Sequence, residues 1–208
     1  DGILCSRFNI NVTYRLALCL QPGRWLNDEV VNFYMELLGE RSRRREEGLK
    51  CHFFNSFFVD KFKVSYEYEH VQRWSKRARV RILKMDKVFF PVNANQGHWC
   101  LAVINFIDKR FEYYDSVGGG DRGVLGQLRR YVQDEANQYS KQPGYDLSEW
   151  DDYTPHDVPQ QDNGNDCGVF MCKFADYLSG NLELRFEAGD MPYFRDRMAL
   201  ELEAQAVA

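Results

Sequence analysis

The stretch QQDNGNDCGVF (160–170) sets a single thiol, Cys167, between a polar run and the start of an apolar pattern. The segment CGVFMCKFADYL (167–178) has helical spacing, which puts Cys167 at a helix N-terminus. Unpaired backbone N–H groups and the positive end of the helix dipole favour a thiolate there, and the thiolate is the nucleophile. A thiol near its reference pKa of about 8.5 is only a few per cent ionised at neutral pH, so a neighbouring base is needed. Asp162 and Asp166 act in the opposite sense, since nearby negative charge disfavours a thiolate. Asp166 reads as a cap or a structural hydrogen-bonding group, and taken alone a cysteine ahead of a helix is also compatible with a purely structural role.

The histidines available as a base are His52, His70, His98 and His156. His98 opens the strand-like GHWCLAV (97–103), and Asp115 closes the next one, YYDS (113–116), 17 residues on. A hairpin turning near 107–109 folds these two strand ends together. The carboxylate then orients the imidazole and stabilises its cationic form. Spacing alone leaves the alternative of a strand-end histidine and a turn aspartate with separate surface roles. Metal binding is a further possibility, because His98 and Cys100 lie two apart and share a strand face. Zinc sites favour tighter cysteine pairs than Cys167 and Cys172, however, and Trp99 with its apolar neighbours points to packing, so no metal is expected.

These side chains need a scaffold, and the periodicity supplies one. WLNDEVVNFYMELL (25–38) predicts a helix capped by Asn27 or Asp28, with Val30, Val31, Tyr34, Leu37 and Leu38 at helical spacing. The charged ERSRRREEGLK after it predicts a solvated helix end and loop. FFNSFFVDKF (53–62) is aromatic enough to pack, and YEYEHVQRWSKRARVR (66–81) predicts a helix that becomes basic, with Trp74 in the core. The period then changes: KVFFPVN (87–93), HWCLAVINF (98–106) and KRFEYYDS (109–116) are rich in β-branched and aromatic residues and predict consecutive strands. Glycines 118–120 interrupt the sheet. GVLGQLRRYVQDEANQY (123–139) predicts a helix, YTPHDVP (153–159) a short strand, and MPYFRDRMALELEAQ (191–205) a last helix with Pro192 in its first turn. The sum is an α+β domain in which helices flank a central, mostly antiparallel sheet. It is expected to be one domain over 1–208, with a helical part to about 82 and the sheet and reactive residues from about 83.

A chain of 208 residues with 44% hydrophobic and 15% aromatic residues forms a real core and is not disordered. A net charge of −4 is a poor footprint for nucleic acid. No apolar run is long enough to span a membrane, and the start DGILCSRFN lacks the pattern of a signal peptide. The six scattered cysteines suit a reducing compartment, most of them as small buried hydrophobes.

Taken together, WLNDEVVNFYMELL, FFNSFF, VQRW, GHWCLAV, YYDSVGG, VPQQDNGNDCGVFMCKFADYL and MPYFR resemble, in order and spacing, the Ubl-specific proteases (Ulp), the SUMO- or sentrin-specific cysteine peptidases. The likeness runs from about residue 25 to 200 and is loose before residue 24. The ordered set HW…D…Q-x-N-x-x-DCG is its most specific part. The resemblance implies a papain-like cysteine protease fold with the nucleophile at a helix N-terminus. It implies Cys167 as nucleophile, His98 as general base and acid, Asp115 as the group orienting His98, and Gln161 as an oxyanion-hole donor beside the Cys167 backbone N–H. It further implies Trp25 and Trp99 as an aromatic clamp that admits only a Gly-Gly tail, and Asp28 as a contact for an arginine of the ubiquitin-like partner; Asp28 serves equally as a helix cap.

The implied partners are the SUMO precursor and SUMOylated target proteins, held through the SUMO Gly-Gly tail, with no nucleic acid, no membrane insertion and no cofactor. The expected protein is a monomer in the nucleus, at the nuclear envelope or in the cytoplasm. Two alternatives stand beside this: a protease for another ubiquitin-like modifier such as NEDD8, and an inactive module that only binds one. Asp162, so near the thiol, has no rationale in the sequence.

Overall fold

The computed structural model describes residues 2–61, 66–94, 97–120, 123–139 and 145–207. Phe62, which falls within a segment discussed above, lies outside the described residues. The chain opens with a hairpin, β1 (Ile3–Arg7) and β2 (Ile10–Thr13), and a single turn of helix, α1 (Tyr14–Ala17). The helix α2 (Asp28–Arg44) comes next, then β3 (Cys51–Phe53), a short α3 (Phe57–Asp60), and α4 (Tyr68–Ala78). The central strands are β4 (Lys87–Ala94), β5 (His98–Asn105) and β6 (Arg110–Tyr114). Beyond them come α5 (Val124–Tyr139), β7 (Asp151–Tyr153), α6 (Cys167–Ser179) and α7 (Met191–Ala204).

The part before residue 82 is therefore not wholly helical. The β1–β2 hairpin is short and buries only Cys5 and Val12 fully, so apolar periodicity gave it little signal. Three-residue β3 pairs in parallel with β4 and draws this part of the chain into the main sheet. The sheet order is β3-β4-β5-β6-β7. The central pairs β4·β5 and β5·β6 are antiparallel, while β3 and β7 add parallel strands at the two edges, which makes the sheet mixed. The two edge strands arrive after long connections, as a parallel partner requires.

Both faces of the sheet are covered, which is why β4 and β5 read as nearly continuous apolar runs. Phe89, Trp99, Leu101, Val103 and Tyr114 face a core shared with α2, α6 and α7. Val88, Phe90, Val92, Cys100, Ala102, Ile104, Phe111 and Tyr113 face a second core closed by α3, α4 and α5. The period-two alternation of the strands thus assigns Trp99 and Cys100 to opposite sides. Trp74 packs edge-on to Phe58 in the second core, with ring centroids 5.8 Å apart. The helix α6 is apolar on nearly all sides because it lies between the sheet and α2 and α7, and its first residue, Cys167, emerges where β5 begins. Among the described residues no helix is long and apolar enough to cross a membrane.

Candidate active site

His98 and Asp115 stand at adjoining ends of β5 and β6. The hairpin register that pairs Leu101 with Tyr114 brings the two side chains together across the edge, with His98 Nε2 2.7 Å from Asp115 Oδ1. The carboxylate is fixed by more than the imidazole. Val117 N–H donates to Oδ1 at 2.9 Å and Gly119 N–H to Oδ2 at 2.7 Å. A Cβ on Gly119 would stand 2.9 Å from Oδ2, so only glycine lets that N–H approach. Burial opposes the charge on Asp115, but its bonds to His98 and to the two N–H groups outweigh it and hold the carboxyl below its ordinary value.

With its Nε2 proton held by Asp115, His98 has Nδ1 left for proton exchange. The thiols of Cys100 and Cys167 both interact with this imidazole. The bond to Asp115 first, and then the two sulfurs, push His98 up to about 12 against the effect of burial. A protonated imidazole stabilises an adjacent thiolate and holds a proton for a departing amine. The thiols of Cys5, Cys19, Cys51, Cys100 and Cys172 are pushed up by burial, which keeps them in the unreactive form.

The loop leading into Cys167 is built by its polar residues. Asn163 Oδ1 accepts from the N–H groups of Asn165 and Asp166, a local turn that raises the chain into α6. Asp166 occupies the N-cap position of α6 without capping through its side chain. Its carboxylate instead pairs with Arg195 of α7, whose Nε and Nη2 donate to Oδ1 at 2.9 and 2.5 Å, and accepts from Asn163 Nδ2 at 2.7 Å. Its negative charge is therefore matched by a guanidinium. Asp162 is exposed, where water screens its charge from the sulfur.

Gly168 sets how closely α6 sits. A Cβ there would lie 2.8 Å from Leu26 Cβ and 3.1 Å from Trp99 Cδ1. Trp99 is 4% exposed and donates from Nε1 to the Leu26 carbonyl at 2.9 Å, so it forms a packed floor beside Cys167 and Gly168. Trp25 differs sharply: it is 58% exposed, lies against Gly97 and donates from Nε1 to the Gly164 carbonyl at 2.7 Å. Gln161 is tied to Ser116 twice, its N–H donating to the Ser116 carbonyl at 2.9 Å and its Oε1 accepting from Ser116 Oγ at 2.6 Å. Its Nε2 donates one of its two hydrogens to the Asn163 carbonyl. Asn27 is the cap of α2, accepting from Val30 N–H at 2.9 Å, and Asp28 is the first helical residue, partly exposed.

Sequence reasoning missed Arg195. It is 2% exposed and donates to the carbonyls of Cys19, Gln21, Arg24 and Asn165 as well as to Asp166. One side chain thereby ties the segment leading into Trp25 to the loop leading into Cys167. The available signal was a lone arginine in the buried stripe of a helix. Ser116 and Asn163, which hold Gln161 and the loop, were also missed, although the Asn-Gly pair at 163–164 marks a turn.

Residues 24–208 match the Ulp1 protease family, C-terminal catalytic domain. The chain belongs to this family. Ubiquitin-like-specific protease 1A of Arabidopsis thaliana is 46% identical over 200 residues, covering 93% of this chain and 39% of that protein. Sentrin-specific protease 2 of Mus musculus is 39% identical over 205 residues, covering 97% and 34%. The chain thus spans well under half the length of these two curated Ulp1-family relatives. Among solved structures, the C-terminal Ulp1 protease domain in complex with Smt3, the yeast ortholog of SUMO, superposes with a TM-score of 0.85 at 32% identity, covering 98% of this chain and 88% of that one.

Proposed function

We propose that this chain is the catalytic part of a SUMO-specific cysteine protease. It cleaves after the SUMO C-terminal Gly-Gly, both maturing precursors and releasing SUMO from target lysines. The observation that supports this most is that one imidazole is bonded to the Asp115 carboxylate and also interacts with the Cys167 thiol. In this reading the Cys167 thiolate attacks the glycine carbonyl, and the charge that develops on oxygen meets Gln161 Nε2 and the Cys167 N–H. His98 protonates the leaving amine and then deprotonates the water that hydrolyses the thioester. Trp25 supplies the exposed aromatic wall over Gly97 and Trp99 the floor, so a tail without side chains passes between them. Asp28, at the partly exposed start of α2, takes an arginine of the modifier. No cofactor enters the chemistry. The monomeric state and the nuclear or nuclear-envelope placement belong to the same proposal, to be checked by sedimentation and by imaging the full-length protein.

The test is labelling with vinyl sulfone derivatives of SUMO and NEDD8, with the adduct mapped by mass spectrometry. A SUMO adduct on Cys167 is expected. Preference for NEDD8 would overturn the substrate, and SUMO binding without any adduct would make the chain a binding module. Cys167→Ser is expected to abolish turnover while retaining SUMO affinity.

A further inference from the structure

Beside the reactive groups lies a side chain that the proposed chemistry leaves idle. Cys100 is 1% exposed and sits two residues along β5 from His98, on the same strand face. The ligand atoms of His98, Cys100 and Asp115 all lie within 4.8 Å of one another. The Cys100 thiol interacts with His98 and also with Tyr113. A side chain present only to fill this corner of the second core has no need of a sulfur aimed at the dyad.

We propose that His98, Cys100 and Asp115 form an inhibitory zinc site, in which Zn2+ captures the proposed catalytic base and its orienting carboxylate. The donor set is imidazole, thiolate and carboxylate, and three protein ligands with one open position is a common zinc arrangement. Thiolate together with imidazole selects zinc over magnesium or calcium. Zinc bonds of about 2.0–2.3 Å put tetrahedral donors roughly 3.4–3.6 Å apart. The trio therefore needs only small side-chain rotations, with the 2.7 Å His98–Asp115 contact opening as the metal replaces the proton between them. Asp115 is 3% exposed at its side chain and His98 29%, so the ion enters from the His98 side and a water completes the shell. Binding displaces the Cys100 thiol proton and the imidazole proton that faced Asp115, both of which pass to solvent. Proton exchange with Cys167 is then blocked. The inhibitory consequence rests on the protease reading; the binding itself does not.

Two measurements test it. In metal-stripped protein, the ZnCl2 concentration that halves cleavage is compared between wild type and Cys100→Ser, each relative to its own metal-free rate. Loss of the thiolate is expected to raise it about tenfold or more. Separately, Co2+ is titrated into Cys167→Ala, where a thiolate-to-cobalt charge-transfer band is expected, and into Cys167→Ala/Cys100→Ser, where it is not. If Cys100→Ser fails to fold, Cys167→Ala/His98→Gln replaces it and is expected to lose the band as well. Equal zinc sensitivity of wild type and Cys100→Ser, a missing band in Cys167→Ala, or a band that survives loss of Cys100 or His98 would overturn the site. The cobalt titration uses no substrate, so it stands or falls apart from the protease reading.

Discussion

Arg195→Met removes the one guanidinium that joins α7, the segment before Trp25 and the nucleophile loop. Methionine keeps much of the apolar stem but none of the donors. The Asp166 carboxylate, 7% exposed, is then left without its cation, and the carbonyls of Cys19, Gln21, Arg24 and Asn165 lose a donor. Breaking a buried, hydrogen-bonded ion pair by deleting one partner costs about 3–5 kcal/mol. At roughly 2–4 °C per kcal/mol for a chain of this size, the expected fall in Tm is of the order of 10 °C. Urea unfolding measures the energy directly, and the double variant Arg195→Met/Asp166→Asn separates the stranded charge from lost packing. Neutralising Asp166 in the Arg195→Met background is expected to restore more than about 1 kcal/mol, a positive coupling between contacting residues. Arg195→Lys keeps the charge but not the fork, and is expected to fall between wild type and methionine. A loss below about 1 kcal/mol for Arg195→Met, or no recovery in the double variant, would refute the view that this pair holds the loop.

Other outcomes bear on the site itself. Asp115→Ala removes the main cause that lifts His98 to about 12, so the alkaline limb of kcat/KM, where the imidazolium loses its proton, is expected to move down toward the ordinary histidine value of about 6.5. The same linkage acts on stability: the raised His98 contributes fully below about 6.5 and loses that contribution as pH rises toward 12, while lowered Asp115 contributes fully above about 3.8 and loses it in acid. Urea unfolding across pH is therefore expected to be flatter for Asp115→Ala in both windows. Gly168→Ala forces a methyl to within 2.8 Å of Leu26 Cβ, and overpacking of this kind is expected to cost about 1–3 kcal/mol together with slower labelling of Cys167. Gln161→Ala is expected to lower kcat about 10²–10³-fold with SUMO affinity retained, if its amide meets the oxyanion.

The elements that carry His98, Asp115 and Cys167 were legible along the chain because each was announced locally. Period two marked β4, β5 and β6, helical spacing marked α2, α5, α6 and α7, and the polar-to-apolar step at 166–167 marked the start of the nucleophile helix. The hairpin between β5 and β6 was enough to bring His98 to Asp115, since antiparallel register is a short-range property of strand and turn lengths. Contacts between residues far apart in sequence left no such mark. The strands β1 and β2 each bury a single residue and β3 and β7 have three residues each, so none shows a period, and β3 and β7 take parallel partners that no turn specifies. The different surroundings of Trp25 and Trp99, the water around Asp162 and the guanidinium beside Asp166 result from how α6 and α7 pack on the sheet. Arg195 donates to carbonyls more than 170 residues away. Burial and charge pairing depend on what the rest of the chain brings alongside, so only the tertiary structure decided them.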